Sequence, residues 1–286
     1  MVFVSADEVE HALRRENYLA DRGLAVAVYL SLTMGRPLLL EGEPGVGKTE
    51  VAKVLSGILD AELIRLQCYE GIDAAQALYE WDYAKQLLQA RTGDGSGEVG
   101  GLYTPKFLLE RPLLRAVRAG GRAVLLIDEL DRADDEFEAF LLEVLSDFQV
   151  TIPELGTICA ETPPVVIITS NRTRELHDAL KRRCLYHWID YPSRERETEI
   201  IRVRVPGVED SLARSVAGAV ARLREMELAK PPGPAEAVDW TRALQLVGGN
   251  TVTEEGARDT LGWVLKNRDD LAHAYEHLAE VVAGDG

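Results

Sequence analysis

The sequence predicts an α/β fold in which helices cover both faces of a parallel sheet, followed by a smaller domain made of helices. Short runs rich in Val, Ile and Leu recur along the first two thirds of the 286-residue chain, and most are separated by stretches with helical apolar spacing. Strands that are apolar at nearly every position are typical of a parallel sheet buried on both faces. Beyond residue 192 the helical spacing continues and no strand-like run occurs.

The first domain is predicted to contain five strands. They occupy residues 37–41, 61–67, 122–128, 164–170 and 185–190. Helical spacing over residues 6–33 precedes the first strand, and "MGRP" interrupts it. Two stretches depart from the alternation of strand and helix. Residues 90–101 are glycine-rich and predict a flexible loop, and residues 148–164 alternate like a β-hairpin that turns at "PELG".

A domain boundary is predicted near residues 191–193. It gives a first domain over residues 1–192 and a helical domain over residues 193–286. Helical patterns in the second domain cover residues 195–204, 211–228, 239–247, 253–268 and 270–283. The stretch "KPPGPAEA" at residues 230–237 gives the strongest linker signal within it.

Composition argues against several classes of function. The net charge of −16 disfavours a nucleic-acid surface, because phosphate binding needs a positive face. No run approaches 18 apolar residues and no basic stretch precedes an apolar core at the N-terminus, so we expect no membrane insertion. Cys68, Cys159 and Cys184 form no CxxC pair, which disfavours a zinc knuckle and a disulfide framework. A reducing cytoplasm is the expected location.

The stretch "GEPGVGKT" matches the phosphate-loop pattern GxxxxGK[ST] between the first predicted strand and a helix. Its glycines let backbone N–H groups curl around a phosphate chain, and the helix N-terminus adds positive potential. Lys48 is expected to reach the β- and γ-phosphates, and the Thr49 hydroxyl to bind Mg²⁺. The sequence therefore predicts a site for ATP or ADP with Mg²⁺. The residues expected to bind the nucleotide are Glu43, Pro44, Gly45, Val46, Gly47, Lys48, Thr49, Glu50 and Asp128.

Two acids end the third predicted strand, in "VLLIDELDRAD". Asp128 is placed to hold the hydrated Mg²⁺ together with Thr49, and Glu129 to polarise a water for attack on the γ-phosphate. Asn171 follows the fourth strand in "IITSNRT", where its amide could orient that water. An asparagine after a strand is by itself usually a turn residue, and only the two preceding motifs favour a catalytic role.

Arg183 in "DALKRRCLY" is a candidate for completing a neighbour's site. Charge spreads over the equatorial oxygens during phosphoryl transfer, and an arginine supplied from outside the site contributes ~10³ to 10⁵ in rate. Arg183 ends a short predicted helix before the fifth strand, away from its own phosphate loop. Arg172 and Arg174 are interpreted as ordinary surface charge, and whether Arg182 assists Arg183 is left open.

These elements in this order resemble the AAA+ ATPases. More narrowly, the chain resembles the MoxR family, and "LIRLQCYEGID" with "ALYEWDYAKQLL" within residues 63–88 indicates its CoxD-like branch. The resemblance covers essentially the whole chain. It implies a three-layer αβα P-loop domain with strand order 5-1-4-3-2, a small C-terminal helical lid, and a ring of six subunits. It also implies insertions, which fit residues 90–118 and 148–164.

The resemblance assigns roles to three residues. Asn171 becomes the sensor 1 residue, and Arg183 becomes the arginine finger that acts in trans. Arg242 in "DWTRALQL" becomes the sensor 2 residue that touches the γ-phosphate in cis from the lid. Without the resemblance, Arg242 would be interpreted as an exposed helix residue.

The chain departs from the family pattern at two places. Arg172 stands where many MoxR sequences have proline, and "CYEGIDAAQALYEW" replaces a shorter apolar and glycine-containing stretch. The second departure leaves open whether Tyr79, Trp81 and Tyr83 form a pore loop that grips a substrate or simply pack against their neighbours.

A site completed by a neighbour's arginine links hydrolysis to assembly. The resemblance implies a chaperone-like remodeller for the maturation or metal-cofactor insertion of a client metalloenzyme, such as a molybdenum- or copper-containing dehydrogenase. It also implies a partner with a von Willebrand factor A domain. Two alternatives stay open: a slow nucleotide-gated binding switch, and a clamp-loader-like DNA-associated ATPase, against which the net charge argues. A small-molecule phosphotransferase is disfavoured because Glu129 and the external arginine favour water as the nucleophile.

Overall fold

The computed structural model describes residues 3–92 and 102–283, and the chain divides into two compact units. The first unit comprises Met1–Glu16, Ala20–Glu41 and Thr49–Trp188. The second comprises Asn17–Leu19, Gly42–Lys48 and Ile189–Gly286. In the loop predicted at residues 90–101, residues 90–92 are helical, because they continue the helix that begins at Tyr83, and residues 93–101 lie outside the described residues. The predicted boundary at 191–193 stays a prediction.

The described residues form nine strands. They are β1 (Leu38–Gly42), β2 (Glu62–Gln67), β3 (Tyr79–Trp81), β4 (Leu108–Glu110), β5 (Ala123–Asp128), β6 (Gln149–Ile152), β7 (Gly156–Cys159), β8 (Val165–Ser170) and β9 (Leu185–Ile189). The five predicted strands correspond to β1, β2, β5, β8 and β9, with bounds that shift by about one residue.

Five of these strands form the central sheet, in the order β2-β5-β8-β1-β9. Numbered along the chain, this is the predicted order 5-1-4-3-2, which is confirmed. The pairs β2–β5, β5–β8 and β8–β1 are parallel. In their registers Gln67 lies opposite Asp128, and Glu41 lies opposite Ser170. The polar residues that end these strands therefore meet at one edge of the sheet.

Helices flank these strands along the chain. They are α1 (Ala6–Arg15), α2 (Arg22–Met34), α3 (Lys48–Ile58), α4 (Ala74–Leu78), α5 (Tyr83–Thr92), α6 (Pro112–Ala119), α7 (Asp135–Asp147) and α8 (Asp178–Lys181). The α2 helix begins where the Asp21 carboxylate accepts the Leu24 N–H, and it ends at Gly35, which adopts the left-handed conformation. Apolar side chains of the strands form a continuous core with α6 and α7, in which Leu39 and Leu113 are fully buried.

Two strand pairs lie outside the central sheet in the described residues: β6–β7 falls within the predicted insertion at residues 148–164, and β3–β4 joins residues before the insertion at 90–118 to residues within it. The β6–β7 hairpin pairs Ile152 with Gly156 across the "PELG" turn, which confirms that prediction. The β3–β4 pair was not predicted, and it settles part of the pore-loop question. Trp81 is buried between strands and packs edge-on against the Tyr103 ring, whereas Tyr83 is exposed. Trp81 is therefore a packing residue.

The described residues of the second unit after Ile189 form helices and no strand. These are α9 (Arg194–Arg204), α10 (Asp210–Glu225), α11 (Pro234–Leu246), α12 (Glu254–Thr260), α13 (Arg268–Glu276) and α14 (Leu278–Val282). Their core surrounds Trp240, which is fully buried and donates its indole N–H to Thr260 at 2.7 Å.

Two sequence predictions for this unit are wrong in detail. The second half of the predicted linker at 230–237 is helical, because Pro234 occupies the first position of α11, where its fixed φ suits a helix start. The helix predicted over 253–268 ends at Thr260, and a new helix begins after Asn267, whose side chain caps it.

No helix in the described part of the chain combines the length and the apolarity that a membrane crossing requires.

Candidate nucleotide-binding site

The phosphate loop runs from the end of β1 to the start of α3 and folds around the Lys48 side chain. Lys48 is buried, and its Nζ donates to the carbonyl oxygens of Gly42 at 2.7 Å and Glu43 at 2.8 Å. Gly45 and Gly47 have φ values of 79° and 97°, which only glycine adopts without strain. The loop thus has the backbone conformation that turns N–H groups toward an anion.

The first turn of α11 lies against this loop within the second unit. The Ala235 N–H donates to the Gly45 carbonyl at 3.4 Å. A Cβ on Gly233 would lie 2.9 Å from the Gly45 Cα, and one on Gly45 would lie 2.7 Å from Glu236 Oε2. Glu236 also accepts the Gly233 N–H at 3.0 Å, which caps the helix. The start of α11 therefore forms part of the wall around the phosphate loop.

An ion pair in the second unit holds the segment that leads into α11. Arg224 on α10 donates two hydrogen bonds to Glu197 on α9, at 2.9 and 2.6 Å, and a third to the Pro232 carbonyl at 2.7 Å. Its guanidinium also lies 4.5 Å from the centre of the Tyr191 ring. Glu197 is fully buried, and burial raises its pKa although Arg224 opposes the shift. Arg224 thus fixes Pro232 directly before the glycine that touches the loop.

Asp128, at the end of β5, accepts hydrogen bonds from three elements of the first unit. Its Oδ1 accepts the hydroxyls of Thr49, at 2.9 Å, and Thr169, at 2.6 Å. Its Oδ2 accepts Arg65 Nε at 3.0 Å and Nη2 at 2.6 Å. Asp128 is buried, so the Arg65 guanidinium compensates its charge. A hydroxyl and a carboxylate oxygen this close together form a donor set that fits a hard cation such as Mg²⁺.

Glu129 adopts an unusual backbone conformation directly after Asp128. Its φ is 55°, in the left-handed region that residues with a side chain rarely enter. Its N–H donates to Thr169 Oγ1 at 2.9 Å, and its carboxylate lies 2.8 Å from Arg132 Nε. Thr169 therefore bonds to both acids, since the same hydroxyl donates to Asp128. Left-handed residues of this kind occur preferentially at functional sites.

Asn171 is positioned through its backbone by a buried acid. Its N–H donates to Asp131 Oδ1 at 3.1 Å, while Thr173 donates its N–H at 2.9 Å and its hydroxyl at 2.7 Å to Oδ2. Burial alone would raise the pKa of Asp131, but the hydrogen bonds from Thr173 and Asn171 outweigh burial and lower it. The Asn171 side chain is partly exposed at the end of β8.

The arginines that follow Asn171 differ in exposure and in the contacts that hold them. The surface-charge interpretation is wrong for Arg174, which donates to the Ala133 carbonyl at 2.9 Å and pairs with the fully buried Glu138. Arg172 is half-exposed and lies over the Trp188 ring. Arg183 is exposed, and it forms no ion pair with any residue that the structure describes.

Arg242 lies on the exposed side of α11, two turns beyond the loop contact. It pairs with Asp239 at 3.1 Å and donates to the Arg204 carbonyl at 3.2 Å. The α11 carboxylate next to the phosphate loop is that of Glu236, which the sequence did not single out. A sensor role for Arg242 stays a prediction.

Residues 37–184, just over half of the 286-residue chain, match the AAA domain of the dynein-related subfamily. The chain belongs to this AAA family. Nucleotide binding, and ATP hydrolysis in general, are the activities that this family and its P-loop fold support. The match ends at Cys184, so the second unit after Ile189 lies outside it.

Relatives of this AAA protein are distant. It is 25% identical over 200 residues to the denitrification regulatory protein NirQ of Pseudomonas aeruginosa, which covers 68% of this chain and 69% of NirQ. It is 27% identical over 169 residues to an uncharacterized protein of Staphylococcus aureus, covering 55% of this chain. The chain spans 57% of that protein's length. A RuvB mutant of Thermotoga maritima superimposes with a TM-score of 0.53 at 19% identity, over 94% of this chain and 73% of RuvB, which shows the shared fold.

Besides Glu236, three residues of this AAA site were missed from the sequence. Arg65, Thr169 and Asp131 organise Asp128, Glu129 and Asn171, yet each looks ordinary in its own segment. A weak signal exists for Arg65, which is the charged position within the apolar run "LIRLQ".

Proposed function

We propose that this AAA+ ATPase hydrolyses ATP in a ring of identical subunits, by analogy a hexamer, and uses the cycle to remodel a client protein. The observation that carries the proposal is the pair of oxygens on Thr49 and Asp128, which lie 2.9 Å apart at the edge where the phosphate loop begins its helix. The fold combines this pair with the buried Lys48 of the phosphate loop and with Glu129, which follows Asp128 in the chain. These are the groups that phosphoryl transfer to water requires.

Thr49 and Asp128 are assigned to hold Mg²⁺, which would neutralise charge developing on the β- and γ-phosphates. Lys48 now donates to carbonyl oxygens of its own loop. In the loaded enzyme we expect Nζ to donate to phosphate oxygens instead, while the remaining loop residues from Glu43 to Glu50 surround the nucleotide. Arg65 orients the Asp128 carboxylate through its two hydrogen bonds.

Glu129 is assigned as the residue that polarises the attacking water, and Asn171 as the residue that orients it. Two features support the assignment: the fixed left-handed backbone of Glu129 and the anchoring of the Asn171 N–H by Asp131. The Glu129 carboxylate is engaged by Arg132. Release of that surface ion pair costs little, typically less than ~1 kcal/mol.

Arg183 is assigned to the neighbouring subunit's site, and Arg242 to the γ-phosphate of its own. Support for Arg183 comes from its exposure and from its weak hold within the chain: it donates to the Ala179 carbonyl at 3.5 Å, whereas Arg174 pairs with the buried Glu138. The role of Arg242 rests on the resemblance alone.

The proposal also includes two domains, over residues 1–192 and 193–286, and a cytoplasmic location.

The process that ATP hydrolysis drives is proposed from the resemblance to the CoxD-like branch of the MoxR family. It is the maturation, or metal-cofactor insertion, of a client metalloenzyme, together with a partner that carries a von Willebrand factor A domain. NirQ is named a denitrification regulatory protein, which favours a nucleotide-gated switch as the second candidate. A DNA-associated role is disfavoured by the net charge of −16, and the likeness to RuvB shows the fold alone.

The test is ATP hydrolysis as a function of protein concentration, with sizing in ATP. We expect specific activity to rise with concentration, and Glu129→Gln to accumulate as a ring. Arg183→Ala should lose ~10³-fold or more in kcat and regain activity when mixed with Glu129→Gln subunits, which supply the arginine. Arg182→Ala, the exposed neighbour, is the matched control and should retain most activity.

The opposite result is equally clear. Activity that does not depend on concentration, with Arg183→Ala as active as wild type, would overturn the shared site and favour the switch or a phosphotransferase. Stimulation of turnover by a partner would distinguish a remodeller from a switch that only binds.

A further inference from the structure

The end of α13 carries a cluster of metal-ligating side chains that the ATPase site does not use. His273, Glu276 and His277 each offer one ligand atom, and the three atoms lie within 4.8 Å of one another. Both histidines are partly buried and Glu276 is exposed. Residues three and four positions apart share one face of a helix, so the spacing of "HAYEH" brings the three side chains together.

The backbone already orients one of the two imidazoles for metal binding. His277 Nδ1 lies 3.0 Å from the His273 carbonyl oxygen. When Nδ1–H donates to that carbonyl, Nε2 carries the free lone pair, which is the tautomer a metal ion needs. Metal-bound histidines nearly always make such a bond with their second ring nitrogen. The two rings lie 4.6 Å apart between centroids and are tilted by 57°, so they converge without stacking face to face.

The electrostatic surroundings also suit a cation. His277 directly follows the last residue of α13, and the last carbonyl groups of a helix carry partial negative charge. Glu276 adds a full negative charge to the same turn. A bound divalent ion would therefore be attracted by the helix end as well as by its ligands.

We propose that His273, Glu276 and His277 bind a divalent transition-metal ion, for which Zn²⁺ is the best match. Imidazole nitrogens suit Zn²⁺, Ni²⁺ and Cu²⁺, whereas Mg²⁺ and Ca²⁺ prefer oxygen ligands. Tetrahedral coordination at normal Zn–N lengths places ligand atoms roughly 3.3 Å apart. We expect rotation of the exposed Glu276 side chain and of the His273 imidazole to close the present spacing, while His277 keeps its bond to the His273 carbonyl. The fourth position is left for water or for a side chain of a bound protein.

The ion would act on the lid and not on the hydrolytic chemistry. His277 is the single residue between α13 and α14, and Leu278 and Val281 of α14 are buried in the core of the second unit. Binding would therefore fix the junction between these two helices. Because a ligand that binds only the folded state stabilises it, the thermal midpoint should rise with Zn²⁺ concentration. This readout is independent of ATP turnover and of the proposed function.

The experiment uses the full chain, freed of metal by a chelator and kept without nucleotide or Mg²⁺. Zn²⁺ is titrated against a chromophoric chelator, and Co²⁺ is followed by its visible absorption. We expect one site per chain that raises the Tm by at least about 2 °C near saturation. His273→Gln and His277→Gln should each weaken Zn²⁺ binding at least ~10-fold. His11→Gln, an exposed histidine on α1, is the matched control and should bind as wild type does.

A second measurement needs no variant. Zn²⁺ should protect His273 and His277, but not His11, from carbethoxylation by diethyl pyrocarbonate, as read by peptide mass. The proposal is overturned if His277→Gln binds Zn²⁺ as tightly as wild type, or if Zn²⁺ leaves the modification of both histidines unchanged.

Discussion

Removal of the Thr169 hydroxyl tests how Asp128 and Glu129, at the end of β5, are held in place. The hydroxyl donates to Asp128 Oδ1 at 2.6 Å and accepts the Glu129 N–H at 2.9 Å, and Thr169 is almost completely buried. Thr169→Val keeps the side-chain shape and removes both bonds. A hydrogen bond to a charged group contributes about 1.5–3 kcal/mol, and an unsatisfied buried donor costs about 1–3 kcal/mol. We therefore expect a loss of roughly 3 kcal/mol in the free energy of unfolding.

Hydrolysis should fall as well, because the same bond holds Glu129 in its left-handed conformation. That conformation costs about 1–2 kcal/mol for a residue with a side chain. Once the bond to Thr169 is removed, Glu129 is free to relax, and the loss of its alignment should lower kcat by roughly 10- to 100-fold, with a smaller effect on nucleotide affinity. The measurements are urea unfolding and ATP hydrolysis at saturating ATP.

Two variants complete this test. Thr169→Ser retains the hydroxyl and should lose less than about 1 kcal/mol, mainly from the missing methyl group. Thr157→Val removes an exposed hydroxyl that bonds Thr151 in the β6–β7 hairpin, and it should change neither measurement. The reasoning is refuted if Thr169→Val has wild-type stability and kcat, or if Thr169→Ser is as damaged as Thr169→Val.

Two further predictions address the phosphate loop and the anchor of Asn171. Gly45→Ala should abolish binding of a fluorescent ATP analogue, because its φ is 79° and the new Cβ would meet Glu236; Gly57→Ala, in open space on α3, should bind normally. Asp131→Asn should lower the free energy of unfolding by about 2 kcal/mol at neutral pH. Since the folded state lowers the pKa of Asp131, this advantage of wild type should be fully present above the ordinary pKa of 3.8 and should be lost as pH falls through the lower pKa of the folded state. A urea series in which the gap persists at still lower pH would contradict this.

The central sheet and the phosphate loop could be predicted because their signals are local. Each strand is a short apolar run between polar segments, and the glycine pattern at residues 42–49 depends on neighbours in the chain. The same local logic failed at residues 230–237. Proline was taken there as a linker residue, although Pro234 begins a helix.

The partners of the acids could not be predicted because they depend on strand register. Arg65 meets Asp128 only because Gln67 lies opposite Asp128 in the β2–β5 pair. A shift of one residue would turn Arg65 to the other face of the sheet. Thr169 likewise reaches the end of β5 from the neighbouring strand β8. Register is fixed by packing across the whole sheet, and a single sequence does not reveal it.

Asp128 also connects the phosphate end of the first unit to the segment that follows β2. Its carboxylate bonds both Thr49 and Arg65, and its carbonyl accepts the Cys68 N–H at 2.8 Å. A change of ligand at Thr49 therefore alters the partners of the same residue that holds the end of β2. The chain from Cys68 leads to α5, where Tyr83, Leu87 and Leu88 are 60%, 66% and 63% exposed. Exposed apolar side chains grouped on one helix are typical of a protein contact. In a remodelling cycle, we therefore expect α5 to be a protein-contact surface that is connected along the chain to Asp128.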